Sequence, residues 1–379
     1  MRYGERNQEL LTQLGEHLEL EVRATAPARQ RKFQEAAYVA ADIEWFLPMT
    51  GLVNLALVRR YVPNFPDQLP LAGFILAESK DRAPRQFYQL AQLAGQRYPF
   101  GFLVTDGATA YRQAHRSLRT FRHLFGAGQC LVADAQQLEA LLEQRPATTG
   151  NDFAEIREPP FIEKMMEPIA PETLAAVSSK NWTKQIRILL RLQGQQAGLS
   201  VAEDAPPIDF SRHYENGLPA FATVKRYLQP VLLEEIGHAL GYYHSFTPID
   251  NRPPRITTSW SKQFATIKVD VIWQMTLPAG LQKFLQRLLE LDFALRYAVP
   301  LLHGAPFSLP LVGFSIERSI VPASAGRILM LSRGCRFGVV ITSQPQMGAM
   351  QQLLGLLGET SGLANVRTLA QQQLLSLED

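Results

Sequence analysis

The chain holds only two cysteines among its 379 residues, Cys130 and Cys335. They lie far apart among apolar neighbours, which excludes a disulfide framework and a cysteine-built zinc site; a reducing cytoplasm is the expected setting. Long apolar runs are also missing. No stretch reaches the ~18 uncharged apolar residues that a membrane-crossing helix needs. The opening MRYGERNQEL lacks the apolar block of a secretion signal. An excess of one charge is absent too. Lys and Arg number 38 and Asp and Glu 35, so the net charge is +3. That balance permits a polyanionic partner without requiring one. GFLVTDG at 101–107 is not followed by Gly-Lys-Ser/Thr, so it is no phosphate loop, and Thr105 and Asp106 read as a strand end and a turn. EEIGHALGYYH at 234–244 places His238 and His244 six apart, not the four of a zinc-protease helix, and reads as a packed helix.

What is present suffices for ordinary cores: 46% of residues are hydrophobic and 19% charged. The length allows two or three domains of ~100–200 residues. An internal echo organises them. PLAGFILAES at 70–79 resembles PLVGFSIERS at 310–319, and FGFLVTDG at 100–107 resembles FGVVITSQ at 337–344. Each series closes alike, with CLVADAQQLEALLE from 130 and NVRTLAQQQLLSLE from 365. Upstream, LLTQLGEHLEL at 10–20 matches LLEEIGHALGY at 232–242 without a gap. LLRLQGQQAGL at 189–199 carries the same leucine pair and glycine spacing. Apolar residues recur every three or four positions in these stretches, as a core-facing helix demands. The order implies two α/β units, each a mixed sheet flanked by helices.

In the first unit the pattern predicts helices over 5–20 and 32–46, and strands over 52–61 and 71–78. A helix over 84–97, a strand over 100–105, a helix over 111–124, a strand over 130–133 and a helix over 135–144 follow. The Pro, Gly and Thr cluster of EQRPATTGNDFAE at 143–155 reads as a boundary. The second unit is expected to comprise helix 229–242, strand 264–274, helix 280–297, strand 309–317, helix 323–333, strand 337–342, helix 346–357 and strand 365–369.

Three sets of polar residues stand out. GFILAESKDR at 73–82 puts Glu78 and Lys80 two apart at a strand end, where i and i+2 face the same way, with Arg82 after them. They read either as a catalytic pair or as the solvated end of a core strand. Asp270 lies between Val269 and Val271 within an apolar run, where a carboxylate is costly unless paired. It reads equally as a ligand or as half of an ion pair, with Arg318 or Arg327 as candidate partners. YRQAHRSLRTFRH carries Arg112, Arg116, Arg119 and Arg122 on one helical face, suited to a phosphate backbone or simply to solvent. RATAPARQRKF adds Arg23, Arg29, Arg31 and Lys32.

The succession GLVNLALVRR, GFILAESK, GFLVTDGAT and CLVADAQQLEALL resembles the restriction-endonuclease-like fold of the PD-(D/E)XK nuclease superfamily, most closely its type IV, Mrr-like group. IKVDVIWQM and PLVGFSIERS resemble a second, degenerate copy of that fold. The resemblance implies two restriction-endonuclease-like modules, 1–148 and 226–379, joined by a helical connector over 149–225. It implies a nucleic-acid partner, DNA foremost, and Mg²⁺ or Mn²⁺ as cofactor. Hard divalent ions take carboxylate oxygen, and a neighbouring Lys balances charge on the phosphate. By that resemblance Glu78 and Lys80 are the central pair, and Asn54 falls where the family has a metal-binding Asp. Asp42 or Glu44 is a candidate replacement from a helix end. In the second copy Asp270 occupies the Asp position, Ser315 the proximal acid and Glu317 the distal acid, while Ile320 supplies no amine. The implied metal ligands are thus Glu78 and Asp270.

Two functions follow from the resemblance. One is a metal-dependent endonuclease of defence, repair or mobile-element type. The other is an inactive pseudo-nuclease serving as a DNA-binding or assembly subunit of a larger complex. A ligand-sensing α/β protein is a third class and would need a pocket between the copies.

Overall fold

In the computed structural model, residues 3–24, 41–77, 83–95, 98–125, 130–143, 182–205, 268–290, 307–361 and 365–375 are described. Ile43, Trp45 and Leu47 alternate with less buried neighbours, and this period of two makes Ile43–Pro48 a strand, β2. It replaces the end of the helix expected over 32–46, whose earlier part, up to residue 40, lies outside the described residues. The expected strand over 52–61 is instead a helix, α2, Leu55–Tyr61. Its buried residues Leu57, Val58 and Tyr61 follow a helical spacing, and Asn54 caps its first turn.

The first module begins with helix α1 (Tyr3–His17) and strand β1 (Glu21–Ala24). After β2 and α2 come β3 (Gln68–Leu76), α3 (Ala83–Gly95), β4 (Phe100–Thr105), α4 (Ala108–Phe125), β5 (Cys130–Asp134) and α5 (Ala135–Glu143). The second has α6 (Trp182–Gln196), β6 (Ser200–Glu203), β7 (Val271–Thr276), α7 (Ala279–Glu290) and β8 (Ser308–Glu317). It ends with α8 (Pro322–Gly334), β9 (Phe337–Thr342), α9 (Met347–Ser361), β10 (Val366–Ala370) and α10 (Gln371–Leu375). The fold is α/β, with two five-stranded mixed sheets flanked by helices. The strand orders are β1-β2-β3-β4-β5 and β10-β9-β8-β7-β6. In each, the first three strands in chain order are antiparallel and the last three parallel.

The duplication extends to single residues. Trp45 faces Ala72 and Trp273 faces Val312, and the register slips immediately after each tryptophan. The Trp45 indole N–H donates to the Leu11 carbonyl at 3.0 Å, and that of Trp273 to the Leu190 carbonyl at 2.8 Å. Glycine lets the helix approach each ring. A Cβ on Gly15 would lie 2.6 Å from the Trp45 ring nitrogen, and one on Gly194 2.5 Å from that of Trp273. Helix α6 is therefore the counterpart of α1. Residues 182–205, placed in the connector by sequence, supply a helix and an edge strand of the second module, which thus starts well before 226. The helix expected over 229–242 and the segment 159–174 lie outside the described residues.

One hydrophobic core runs through both modules. Tyr61 of α2 packs edge-on against Trp273 and Phe314 of the second sheet, at centroid distances of 4.9 and 5.7 Å. Reciprocally, Phe284 of α7 lies 6.1 Å from Trp45 of the first. Phe65 meets Phe337, and Phe100 meets Phe307, across the same boundary. Both cysteines are buried thiols outside any disulfide, and burial pushes the Cys335 thiol pKa up to about 12. No helix among the described residues is long and apolar enough to cross a membrane.

Candidate functional site

Aligning the two modules by their tryptophans moves the candidate site. Asp42 and Asp270 each stand three residues before the paired tryptophans, in DIEW and DVIW. Each opens the second strand of its sheet and accepts a backbone N–H near the end of the third. Asp42 Oδ2 takes the Leu76 N–H at 2.7 Å, and Asp270 Oδ2 takes the Ile316 N–H at 2.8 Å. The first-module counterpart of Asp270 is therefore Asp42, which enters from the sheet and not from a helix end. Asn54 does not hold that place. Its Oδ1 accepts the Leu57 N–H at 3.2 Å, and its backbone N–H donates to the Ala197 carbonyl of the other module at 3.0 Å. An Asn inside LVNLAL is thus a helix cap at the module boundary. The shared Asp-x-x-Trp was the sequence signal for Asp42.

The two aspartates sit in opposite electrostatic settings. Arg187 of α6 holds Asp270 at 2.6 Å and also reaches Asp204. The ion-pair partner is thus Arg187, outside the two candidates from sequence, while Arg327 acts on Asp270 only through its field. Among the described residues Asp42 forms no ion pair. Burial raises its pKa, and the Leu76 N–H and the charge of Arg85 counter this only in part. Glu44, two residues on and hence on the same face, accepts the hydroxyl of Tyr98, whose ring lies over Gly73. Burial raises the Tyr98 pKa strongly, and the bond to Glu44 and its charge add to that.

Glu317 is buried to 1% exposure and fully engaged. Both Arg327 fork nitrogens donate to it, and the Ser315 and Ser324 hydroxyls add bonds of 2.7 Å each. Burial alone would raise its pKa, but Arg327 and the two serines outweigh that and hold it below the usual range. Ser315, expected at a proximal acid position, thus serves as a donor to Glu317. A carboxylate with a depressed folded pKa stabilises above its unfolded pKa, and that contribution is lost as pH falls through the folded value. Arg327→Met leaves the buried charge uncompensated and is expected to cost about 3–5 kcal/mol at neutral pH. The loss should shrink in acid, where Glu317 of the variant, left to the raising effect of burial without Arg327, takes up a proton. Urea melts at pH 7 and pH 4 check this; an equal loss at both would assign the effect to packing.

Helix α4 presents Arg112, Arg116 and Arg119 to solvent while Ala114, Leu118 and Phe121 are fully buried. Arg122 lies on the same helix. Glu78, Lys80 and Arg82 lie outside the described residues, which leave β3 at Leu76 and resume after Ala77 with α3. No three His, Cys, Asp or Glu side chains among the described residues gather closely enough to hold a metal ion. No family model, curated protein or solved structure matches the chain.

Proposed function

We propose that the protein acts on nucleic acid as a metal-dependent phosphodiesterase whose reaction centre is in the first module, at Asp42, Glu78 and Lys80. The supporting observation is Asp42. It is a carboxylate without an ion pair among the described residues, tied to the end of β3 two residues short of Glu78. Its second oxygen is bonded to no described residue, so its donor type fits a hard divalent cation. Such an ion would be held by Asp42 with Glu78, neutralising phosphate charge and activating a water. The Leu76 N–H fixes the Asp42 carboxyl in place, and Lys80 balances charge on the phosphate. Asn54, Ser315, Glu317 and Asp270 have structural roles in this reading. DNA is the first substrate to test.

The α4 arginines would carry the backbone. In Arg116→Ala/Arg119→Ala the affinity for a labelled duplex should fall. The slope of log K against log salt should shrink by about 0.9 for each phosphate no longer neutralised. An unchanged slope would remove α4 from the interface.

The ion-paired acids of the second module, Asp270 with Arg187 and Glu317 with Arg327, favour a second reading, a nucleic-acid-binding pseudo-nuclease. Cleavage of single- and double-stranded DNA and RNA in Mg²⁺ or Mn²⁺ against EDTA separates the two. Cutting that disappears in Glu78→Ala and Lys80→Ala supports the enzyme. Salt-sensitive binding without cutting supports the pseudo-nuclease.

A further inference from the structure

At one corner of its sheet the second module has acids at two positions, Asp270 and Glu317, whose counterparts in the first are Asp42 and Ala77. Asp270 and Glu317 lie on the same face of β7 and β8 by strand alternation, the face that α8 covers through Ile328 and Leu331. Asp270 binds the backbone N–H of Ile316, the residue before Glu317. Arg327 holds Glu317 and feels the field of Asp270, so one cationic centre serves both acids. Arg187 enters from the other side on α6 and completes the neutralisation.

The first module has neither cation. The indole bonds to Leu11 and Leu190 set α1 against α6, so Gln8 stands where α6 has Arg187. Leu93 lies over Gly101 as Leu331 lies over Gly338, so Gln89 stands where α8 has Arg327. Both differences are glutamine against arginine, and Ala77 stands where β8 has Glu317. Glu317 and its guanidinium are thus both missing from the first module, whereas Asp42, the counterpart of Asp270, is kept without one.

We propose that Arg187 and Arg327 are the built-in cations of the second module's acidic corner, standing where a divalent ion would otherwise sit and closing that module to metal. A buried Glu317 and a half-buried Asp270 need positive charge from some source. Here it comes from two guanidiniums already in the chain, so the module holds its shape without any ion. Substituting both arginines with the glutamines of the first module should expose the acids and make the corner bind a hard divalent cation. This holds whether or not the first module cleaves nucleic acid.

The test uses thermal melts of the full chain in EDTA, Mg²⁺ and Mn²⁺, with Asp42→Asn throughout to silence the first module. Asp42→Asn alone should melt at one temperature in all three. Asp42→Asn/Arg187→Gln/Arg327→Gln should melt lower in EDTA and regain several degrees with Mn²⁺, since a ligand bound only by the folded state stabilises it. Adding Asp270→Asn/Glu317→Gln should remove the response. The idea is overturned if the arginine-free protein ignores divalent ions. It is equally overturned if Asp42→Asn alone already responds to Mn²⁺ and loses that response with Asp270→Asn. Should the double arginine variant fail to fold, Arg187→Gln in the Asp42→Asn background, with Arg327 and Glu317 intact, is judged by the same criteria.

Discussion

Asp42→Asn should lower metal-dependent cleavage by at least about 10²–10³-fold, the scale on which losing one charge-stabilising group acts at a reaction centre. Asp270→Asn should leave the rate near that of the unsubstituted protein, because Asp270 is already neutralised by Arg187. Stability should move differently from activity. A carboxylate whose folded pKa is raised contributes most below its unfolded pKa, and that contribution is lost as pH rises through the folded value. Asp42 is such a group, raised by burial. At neutral pH its burial therefore carries a cost, and the neutral amide, which can still accept the Leu76 N–H, removes that cost. The Asn variant should be at least as stable as the unsubstituted chain at pH 7, and its stability should decline less with rising pH above the usual carboxylate range. Rates and urea midpoints measured on the same samples decide it. Full activity in Asp42→Asn would take this residue out of the reaction. Abolished activity in a folded, equally stable protein would assign it to the chemistry.

Tyr61→Ala should cost about 3–5 kcal/mol, the range for emptying a large aromatic from a packed core. Tyr61 is 1% exposed and belongs to α2 of the first module, yet its ring packs edge-on against Trp273 and Phe314 of the second. The cavity would open at the boundary of two sheets that share one core. Both modules should lose stability together. Urea unfolding followed by tryptophan fluorescence and by far-ultraviolet circular dichroism should give coincident transitions before and after the substitution, moved to lower urea. A variant showing one shifted and one unshifted transition would mean that the modules unfold independently.

The duplication was legible because its signals are local. Gly73 and Phe74 recur as Gly313 and Phe314, and Phe100 and Gly101 recur as Phe337 and Gly338. β3, β4, β8, β9 and β10 lie where their apolar runs put them, give or take a few residues. The errors also have a local cause. The stretch 41–61 holds two apolar runs in succession, and a short run cannot distinguish strand from helix by composition. Reading the second run as a strand puts Asn54 in the place of an aspartate and displaces Asp42, although DIEW and DVIW carry the same spacing. The first helix matches 232–242 without a gap, while the indole bonds place its counterpart at 182–196.

The sequence by itself determined the α/β class and the repeat, since the class follows from periodicity within elements and the repeat from short segments that recur in the same order. Which acid has a cation was decided only by the tertiary structure. Arg187 reaches Asp270 across 83 residues of chain, and Asp42 reaches Leu76 across 34. Such pairs form only when helices and strands distant in sequence close on one another. A charge's effect depends on distance and burial, and neither is written in residue order.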